Sequence, residues 1–366
     1  MMSMGMNTPV RVAMLTRDAH KGGSWVTSLV SALQERLSAV HAVVQVVSVE
    51  HMESDSWLLP ACGAPQCDLL INRVSDAAPP TTAKKTAAIL HLFELHGIPV
   101  INGARCFAIG NNKMLHHQVL SRAGCEVPRS AVISSLSGDA ERFCEAVREA
   151  ATALLDNGCA WPLLAKPNSG GFGEGIVPFS GFDELEQWAD QESAGTSKSA
   201  DGLTLLQQYL TPRDSAIYRV WFVRGKITAA VTVVRPTSAA GSAQFQGGCV
   251  GSCSLQARAP TFTAWDPPAD VQENVLRAAE IAEADCGSIE LLYDSQTGRP
   301  IYFDLNMVTT LPERGSPDTV LDPTNLWGPS FDFYGDWADY IVARLPANCC
   351  SPQSSRALLC SPVSHL

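Results

Sequence analysis

The sequence predicts an α/β protein with two or three lobes, and three observations lead to this fold class. The chain has 366 residues, which is enough for more than one hydrophobic core. Apolar strands alternate with helical patterns near the N-terminus, which is typical of a parallel sheet covered by helices. Further along, pairs of strands are joined by turns that contain glycine, which indicates antiparallel hairpins.

The N-terminal elements form the β-α-β rhythm of a small parallel sheet. A short apolar strand covers 11–16, and a glycine-containing stretch then opens an amphipathic helix from 21 to about 37. Apolar residues at helical spacing (Ala88, Leu92 and Leu95) predict a second helix. This helix and the remaining strands of the sheet are expected over 40–49, 67–73, 81–96 and 98–101.

The middle and C-terminal parts read as helices mixed with hairpins. Helices are expected over 111–123, 139–155, 182–191 and 270–284. Strands are expected over 126–133, 162–167, 175–179, 203–209, 218–223 and 226–235. The stretch 238–259 is rich in Gly, Ser and Ala, which is typical of a disordered loop or an active-site lid.

One stretch combines a strand that ends in lysine with a glycine-rich loop. The apolar run 162–165 leads into Lys166, which indicates a strand with a buried stem and a projecting cation. Four of the six residues 170–175 are glycines, so backbone N–H groups can crowd close to an anion. The spacing is neither the P-loop nor the dinucleotide-binding pattern. A flexible turn is the alternative, but the second strand that follows the loop favours a lid over a nucleotide.

Three oxygen-bearing side chains in the last predicted hairpin form a candidate metal site. Asp304 and Asn306 lie two residues apart, so they share one face of a strand. Glu290 reaches the same face if the strand around it pairs with them. Two carboxylates and an amide oxygen suit a Mg²⁺ ion that also carries substrate phosphates. The alternative is a hairpin with a polar, solvated face.

The composition excludes several classes of protein. A net charge of −11 argues against a general nucleic-acid binder, because such proteins need a basic surface. No apolar run approaches the length of a membrane span, and the first ten residues lack the pattern of a signal peptide. The 12 cysteines show no metal-type C-x-x-C pair, so reduced, packed thiols in a reducing compartment are expected.

Taken in order, these segments resemble the ATP-grasp superfamily, and within it the RimK-type and glutathione-synthetase-like carboxylate–amine ligases. The stretch 95–102 is similar to the strand that ends the family's first lobe. The resemblance covers most of 10–345 and is strongest over 95–128 and 161–306. A further family segment is matched by Asn112, Lys113, Leu120, Gly124 and Pro128, with Asn112 in place of the usual Asp.

The resemblance implies an ATP-grasp fold in three lobes with a flexible tail. A parallel α/β domain is expected over 1–104, and a central lid subdomain with the glycine-rich loop over 105–205. An antiparallel-sheet subdomain with the metal site is expected over 206–345, and the tail over 346–366.

The resemblance also assigns roles to single residues. Arg219 and Arg235 match arginines that hold phosphate or acyl-phosphate, and Mg²⁺ or Mn²⁺ would bind Glu290, Asp304 and Asn306. The stretch 246–248 resembles a Gly-Gly loop near the reacting carboxylate. Asp214 is the substitute for the usual ribose-binding acid, whose place just before Arg219 holds Ile217. The residues implied in ATP binding are Lys113, Lys166, Ser169, Gly170, Gly171, Phe172, Gly173, Gly175, Gln207, Gln208, Tyr209, Leu210 and Asp214.

Three more residues and one loop allow an interpretation. Arg73 follows the third predicted strand, so it is a candidate substrate contact, because ligands gather at the carboxyl ends of parallel strands. His116 and His117 are expected on a solvated helix face. The loop 307–314 departs from the family's usual Pro-Gly, which points to an unusual substrate.

The function implied is ATP-dependent joining of a carboxylate to an amine through an acyl-phosphate, with release of ADP and phosphate. The amine belongs to an amino acid, a peptide or a related small molecule. Two alternatives stay open: a small-molecule kinase on the same scaffold, resembling inositol-phosphate kinases, and a non-catalytic nucleotide-binding module.

The expected partners are the small-molecule substrates and, as in many such ligases, further copies of the chain. Neither nucleic acid nor a membrane is expected as a partner. A cytoplasmic location is expected, although Ser364-His365-Leu366 is distantly similar to a peroxisomal address.

Overall fold

A computed structural model describes residues 9–51, 63–75, 78–134, 139–171, 173–193, 199, 201–234, 261–309, 326–328 and 330–346. Several sequence-based assignments lie outside these residues: Phe172, Arg235, the loop 238–259 with its stretch 246–248, residues 310–314 of the loop 307–314, and the tail beyond 346. Among the described helices, none is both long enough and apolar enough to cross a membrane.

The N-terminal part forms the expected parallel sheet. Its order is β2-β1-β3-β4, with helices α1 and α2 formed by the chain between the strands. The strands are β1 (Val10–Thr16), β2 (Ala42–Ser48), β3 (Leu69–Asn72) and β4 (Val100–Ile101). The helices are α1 (Ser24–Arg36) and α2 (Pro80–Leu95). Two hydrophobic clusters cover the sheet: Met14 and Ile71 belong to one, Ala13 and Leu70 to the other.

The helix expected over 111–123 is present, and an additional short helix precedes it. Helix α3 (Ala104–Gly110) ends before Asn112, and α4 (Lys113–Arg122) begins directly after it. The Asn112 side chain accepts a hydrogen bond from the backbone N–H of Leu115, so it caps α4. Helix α3 was therefore not expected, and α4 begins at Lys113 instead of Asn111.

A second, antiparallel sheet carries the glycine-rich loop. Its strand order is β5-β8-β6-β7, and a hydrophobic cluster packs α5 and α6 against one of its faces. The strands are β5 (Ser130–Ser134), β6 (Leu163–Pro167), β7 (Val177–Phe179) and β8 (Leu203–Gln208). The helices are α5 (Ala140–Asp156) and α6 (Phe182–Gln191). Leu206 lies in that cluster, so its neighbour Gln207 points to the opposite face.

A third, antiparallel sheet carries the candidate metal ligands. Its order is β11-β10-β9-β12-β13. The strands are β9 (Ala216–Val223), β10 (Lys226–Val234), β11 (Thr261–Ala264), β12 (Cys286–Tyr293) and β13 (Pro300–Asn306). The helices are α7 (Ala269–Ile281) and α8 (Phe333–Ala343). Strand β11 and helix α8 had not been expected, whereas the hairpin of β12 and β13 is confirmed.

The two faces of the third sheet pack against different hydrophobic clusters. Val220 and Phe222 pack on the cluster that includes α7, whereas Trp221 and Val223 pack on the cluster shared with α1, α8 and the parallel sheet. Because side chains alternate along a strand, Arg219 lies on the second of these faces with Trp221. This face therefore joins the candidate metal site to the N-terminal sheet.

Candidate nucleotide and metal site

The three candidate metal ligands lie on one face of β12 and β13. Glu290 pairs directly with Asp304, and Ser288 pairs with Asn306, so these side chains point the same way. The intervening residues Ile289 and Leu305 are buried in the opposite cluster. The sequence-based expectation that the three residues share a face therefore agrees with the strand register.

Asp304 is surrounded by cationic groups from two other elements. Its Oδ1 lies 3.2 Å from Nδ1 of His116 on α4, two residues that are 188 positions apart in the chain. Burial by itself would raise the pKa of the Asp304 carboxyl, but Lys166, His116 and Lys113 hold that pKa well below its usual range. Asp304 therefore stays ionised and ready to bind a cation.

His116 is a buried residue with two oxygen neighbours. Its Nε2 faces the carbonyl oxygen of Gly110 at 3.1 Å, and its Nδ1 faces the Asp304 carboxylate. Each ring nitrogen of His116 thus has an oxygen within hydrogen-bond distance. The expectation that His116 and His117 are solvated was wrong, because both side chains are buried against neighbouring strands.

Glu290 forms a buried ion pair with Arg219 on the adjacent strand β9. Nη2 of Arg219 donates to Oε1 of Glu290, and the two residues are direct partners in the sheet. Glu290 is 2% exposed, and its other oxygen, Oε2, has no hydrogen-bond partner in the described part of the chain. A buried carboxylate oxygen without a partner is what an oxygen-binding cation needs.

The glycine-rich loop is fastened to the start of α4. Nζ of Lys113 donates to the carbonyl oxygen of Gly170, and the backbone N–H of Lys113 donates to the carbonyl oxygen of Asn168 at 3.0 Å. The Asn168 side chain accepts from the Met114 backbone N–H at 2.9 Å and donates to Asp201 at 2.6 Å. Both predicted phosphate-binding lysines, Lys113 and Lys166, thus lie at the base of this loop.

Several loop residues adopt backbone conformations that favour glycine. Gly170, Gly173 and Gly175 have φ angles of 116°, 69° and 75°. Ser169 and Gly171 are half-buried beside them. The loop geometry therefore explains the glycine-rich composition.

The predicted adenine-binding strand is the end of β8. Gln207 is buried, and its Oε1 has no partner among the described residues, while the Gln208 backbone N–H donates to the carbonyl oxygen of Arg129. Tyr209 is half-buried, and burial raises the pKa of its hydroxyl. Leu210 is buried. Asp214 is partly engaged already, because it accepts a hydrogen bond from the Tyr218 hydroxyl at 2.5 Å.

His117 packs between α4 and β5. Its Nδ1 lies 3.1 Å from Oγ of Ser130, and its Nε2 has no partner among the described residues. Burial, together with the nearby cations Lys166 and His116, lowers the pKa of His117 to about 3. The ring is therefore neutral at physiological pH.

The described residues contain no cluster of three or more His, Cys, Asp or Glu side chains arranged to hold a metal ion. The trio of Glu290, Asp304 and Asn306 has a different chemistry, because one of its ligands is an amide. Its oxygen set and the unpartnered Oε2 fit a hard cation better than a nitrogen- or sulfur-seeking one.

Comparison with known proteins bears on this arrangement. No protein-family model matches the chain, and no curated protein matches its sequence at a significant level. The structure is similar to the ATP-grasp ligase PsnB in complex with a minimal precursor, with a TM-score of 0.61 and 18% identity over 91% of this chain and 99% of that chain.

Two other solved structures are similar over comparable lengths. The D-cycloserine synthetase DcsG has a TM-score of 0.58 and 17% identity over 92% of this chain and 100% of that one. A RimK-domain ATP-grasp protein from Sphaerobacter thermophilus has a TM-score of 0.59 and 17% identity over 90% of this chain and 99% of that one. At these identities the likeness shows the fold, and the chain has the ATP-grasp fold that the sequence led us to expect.

Proposed function

We propose that this protein is an ATP-dependent ligase that joins a substrate carboxylate to an amine and forms ADP and phosphate. One observation carries the proposal: Lys113, Lys166 and the glycine-rich loop meet the face of β12 and β13 that holds Asp304. Basic groups for phosphate and acidic groups for Mg²⁺ are thus combined in one place. The similar structures support the proposal, since PsnB has been captured with Mg and ADP and also with AMPPNP.

The first step is transfer of the ATP γ-phosphoryl group to the carboxylate. A carboxylate oxygen forms a bond to the γ-phosphorus, and the bond from that phosphorus to the bridging oxygen of ADP breaks. Lys113 and Lys166 would bind the phosphates, and the loop would exclude water. Mg²⁺ held by Glu290, Asp304 and Asn306 would neutralise phosphate charge.

In the second step the amine attacks the acyl carbon, and the C–O bond to phosphate breaks. The amine loses one proton, and inorganic phosphate leaves. Arg219 lies beside Glu290, so its guanidinium can stabilise the charge that collects on the departing phosphate. The substrates would be small molecules or peptides, by analogy with PsnB, which has been captured with a precursor peptide.

The proposal retains the expectations of a cytoplasmic protein that forms homo-oligomers and does not bind nucleic acid. It also retains the domain boundaries near residues 104, 205 and 345.

Product analysis tests this function. The protein is incubated with ATP, Mg²⁺ and a pool of carboxylates and amines, and nucleotides and new masses are recorded. ADP, phosphate and an amide product support the ligase. AMP and pyrophosphate contradict it, and a phosphorylated product without an amide identifies the kinase alternative.

A pair of matched variants controls this experiment. Lys166→Met should abolish ADP release, because it removes a buried cation beside Asp304. Lys226→Met removes only an exposed lysine that pairs with Asp336, so it should leave ADP release unchanged.

A further inference from the structure

A second group of buried polar atoms lies at the carboxyl edge of the parallel sheet. Within the described residues, Nε and Nη1 of Arg73, Oγ1 of Thr16 and Oγ of Ser75 have no hydrogen-bond partner. Leu15 pairs with Asn72, so Thr16 and Arg73 occupy the next position on neighbouring strands. Met14 and Ile71, two residues earlier, lie in the same cluster, so Thr16 and Arg73 share one face of the sheet.

The Arg73 guanidinium is held between two aromatic rings. Its central carbon lies 4.6 Å from the ring centroid of Trp25 on α1 and 4.7 Å from that of Trp337 on α8. Nη2 donates to the carbonyl oxygen of Thr309 at 3.0 Å. Arg73 is 1% exposed and forms no ion pair with a described carboxylate, although burial lowers its pKa only to about 10.

A buried, charged guanidinium without a counter-ion is costly. Desolvation of such a charge costs several kcal/mol, whereas each ring contact returns roughly 0.5–2 kcal/mol. The edge formed by Nε and Nη1 is therefore a strong receptor for an anion. Two N–H groups side by side match the two oxygens of a carboxylate, which can accept both hydrogen bonds in the plane of the guanidinium.

Thr309 connects this receptor to the metal face. Its hydroxyl accepts from Nε1 of Trp221 at 3.0 Å and from Oγ of Ser288 at 2.9 Å, while its carbonyl oxygen accepts from Arg73. Ser288 is the strand partner of Asn306. The guanidinium of Arg219 lies 5.8 Å from the Trp221 ring. A ligand at Arg73 would thus lie one layer of side chains away from the candidate reaction centre.

We propose that Arg73, with Thr16 and Ser75, binds the carboxylate of the amine substrate, so that the acceptor is an amino acid. The inference rests on the proposed ligase function, in which the other substrate's carboxylate is already committed to the γ-phosphate. Trp25, whose ring contacts the guanidinium, is half-buried at the start of α1. The carboxylate pairs with Nε and Nη1 of Arg73.

The activity test uses amines that differ only in the carboxylate. N-acetyl amino acids serve as acyl donors, and the amine is either a mixture of free amino acids or the corresponding amino acid amides. The wild type should release ADP with the acids and much less with the amides. Arg73→Met should raise the KM for the amino acids by at least about 30-fold, which corresponds to roughly 2 kcal/mol, and leave the KM for ATP unchanged.

Two further variants control for packing. Arg73→Lys keeps the charge but lacks the planar edge, so it should also raise the KM for the amino acids. This variant carries the test if Arg73→Met does not fold. Arg148→Met removes an exposed arginine that pairs with Glu186, and its KM values should match the wild type. Equal KM values for acids and amides, or an Arg73→Lys variant with normal KM, would overturn the proposal.

A binding test separates this proposal from the ligase proposal. The shift in melting temperature is measured without ATP, using the same two mixtures. Amino acids should stabilise the wild type more than the amides do, and Arg73→Lys should lose that difference. If no ADP appears in any reaction, the ligase proposal fails, yet the melting shift still decides the role of Arg73. Absence of a carboxylate-dependent shift in the wild type overturns the Arg73 site.

Discussion

The ion pair between Arg219 and Glu290 makes a quantitative prediction about stability. Each residue is replaced by Met alone, and then both are replaced together, without nucleotide or metal. Glu290 is 2% exposed and the Arg219 side chain 15%. Oε2 of Glu290 and Nε of Arg219 have no hydrogen-bond partner among the described residues. The bond from Nη2 of Arg219 to Oε1 of Glu290 is therefore the contact on which both side chains depend.

Removal of one partner leaves an uncompensated charge in the sheet, and such losses are about 3–5 kcal/mol in buried pairs. The residual exposure of Arg219 places the expected loss at the lower end of that range. The double variant should be more stable than either single variant, because two Met side chains leave no buried charge.

Urea unfolding followed by circular dichroism gives the free energy of unfolding of all four proteins. The difference between the double variant and the sum of the single variants is the coupling between the two residues. If the two single losses simply add, the residues are not coupled, and the buried-pair reasoning is refuted.

Three other changes probe separate parts of the site. Asp304→Asn should fold normally yet lower ADP release by roughly 100-fold or more, because an amide cannot replace the charge that holds the cation. The control is Asp336→Asn, a change at an exposed surface residue. Normal turnover of Asp304→Asn would contradict its assignment as a metal ligand. His117→Asn should flatten the loss of stability on acidification. The pKa of His117 in the folded protein is about 3 and lies below the ordinary value of 6.5. The contribution of His117 to the free energy of unfolding is therefore complete above pH 6.5 and is lost towards pH 3, by up to about 1.4 kcal/mol per pH unit. Parallel profiles of melting temperature against pH for the variant and the wild type would exclude this contribution. Asn168→Ala removes two side-chain hydrogen bonds, so it should lower the free energy of unfolding by about 2 kcal/mol. It should also raise the KM for ATP. Asn157→Ala changes an exposed residue and should leave that KM unchanged.

The hairpins were predictable because their register is local. The face shared by Glu290, Asp304 and Asn306 follows from strand alternation and a short turn, which are visible within about twenty residues of sequence. The glycine-rich loop was likewise visible as composition, and three of its glycines have positive φ angles.

The histidines show where local reasoning failed. His116 and His117 are polar residues on a short helix, and polarity by itself favoured a solvated face. The partner of His116 is Asp304, 188 residues further along, and no local pattern reveals such a contact. The break before α4 did leave a signal, because Asn112 is a good N-cap residue that was not used to place the helix start.

Arg73 is an intermediate case. Its place after an apolar strand marked it as a candidate contact, but the rings that enclose it come from α1 and α8, at opposite ends of the chain. Helix α8 was not expected, so neither the contact of Arg73 with two tryptophan rings nor its lack of a counter-ion was foreseeable.

The sequence by itself determined most of the elements, the glycine-rich loop and the three oxygen-bearing side chains on one face of a hairpin. Periodicity, turn residues and ligand chemistry all act over short stretches of chain, so they are readable without the fold. Only the tertiary structure decided which charges are paired and which are left unsatisfied, as with Glu290 against Arg219 and Arg73 between two tryptophans. These facts depend on residues far apart in sequence and on burial, which makes an unpaired charge expensive, and both arise only when the three sheets pack together.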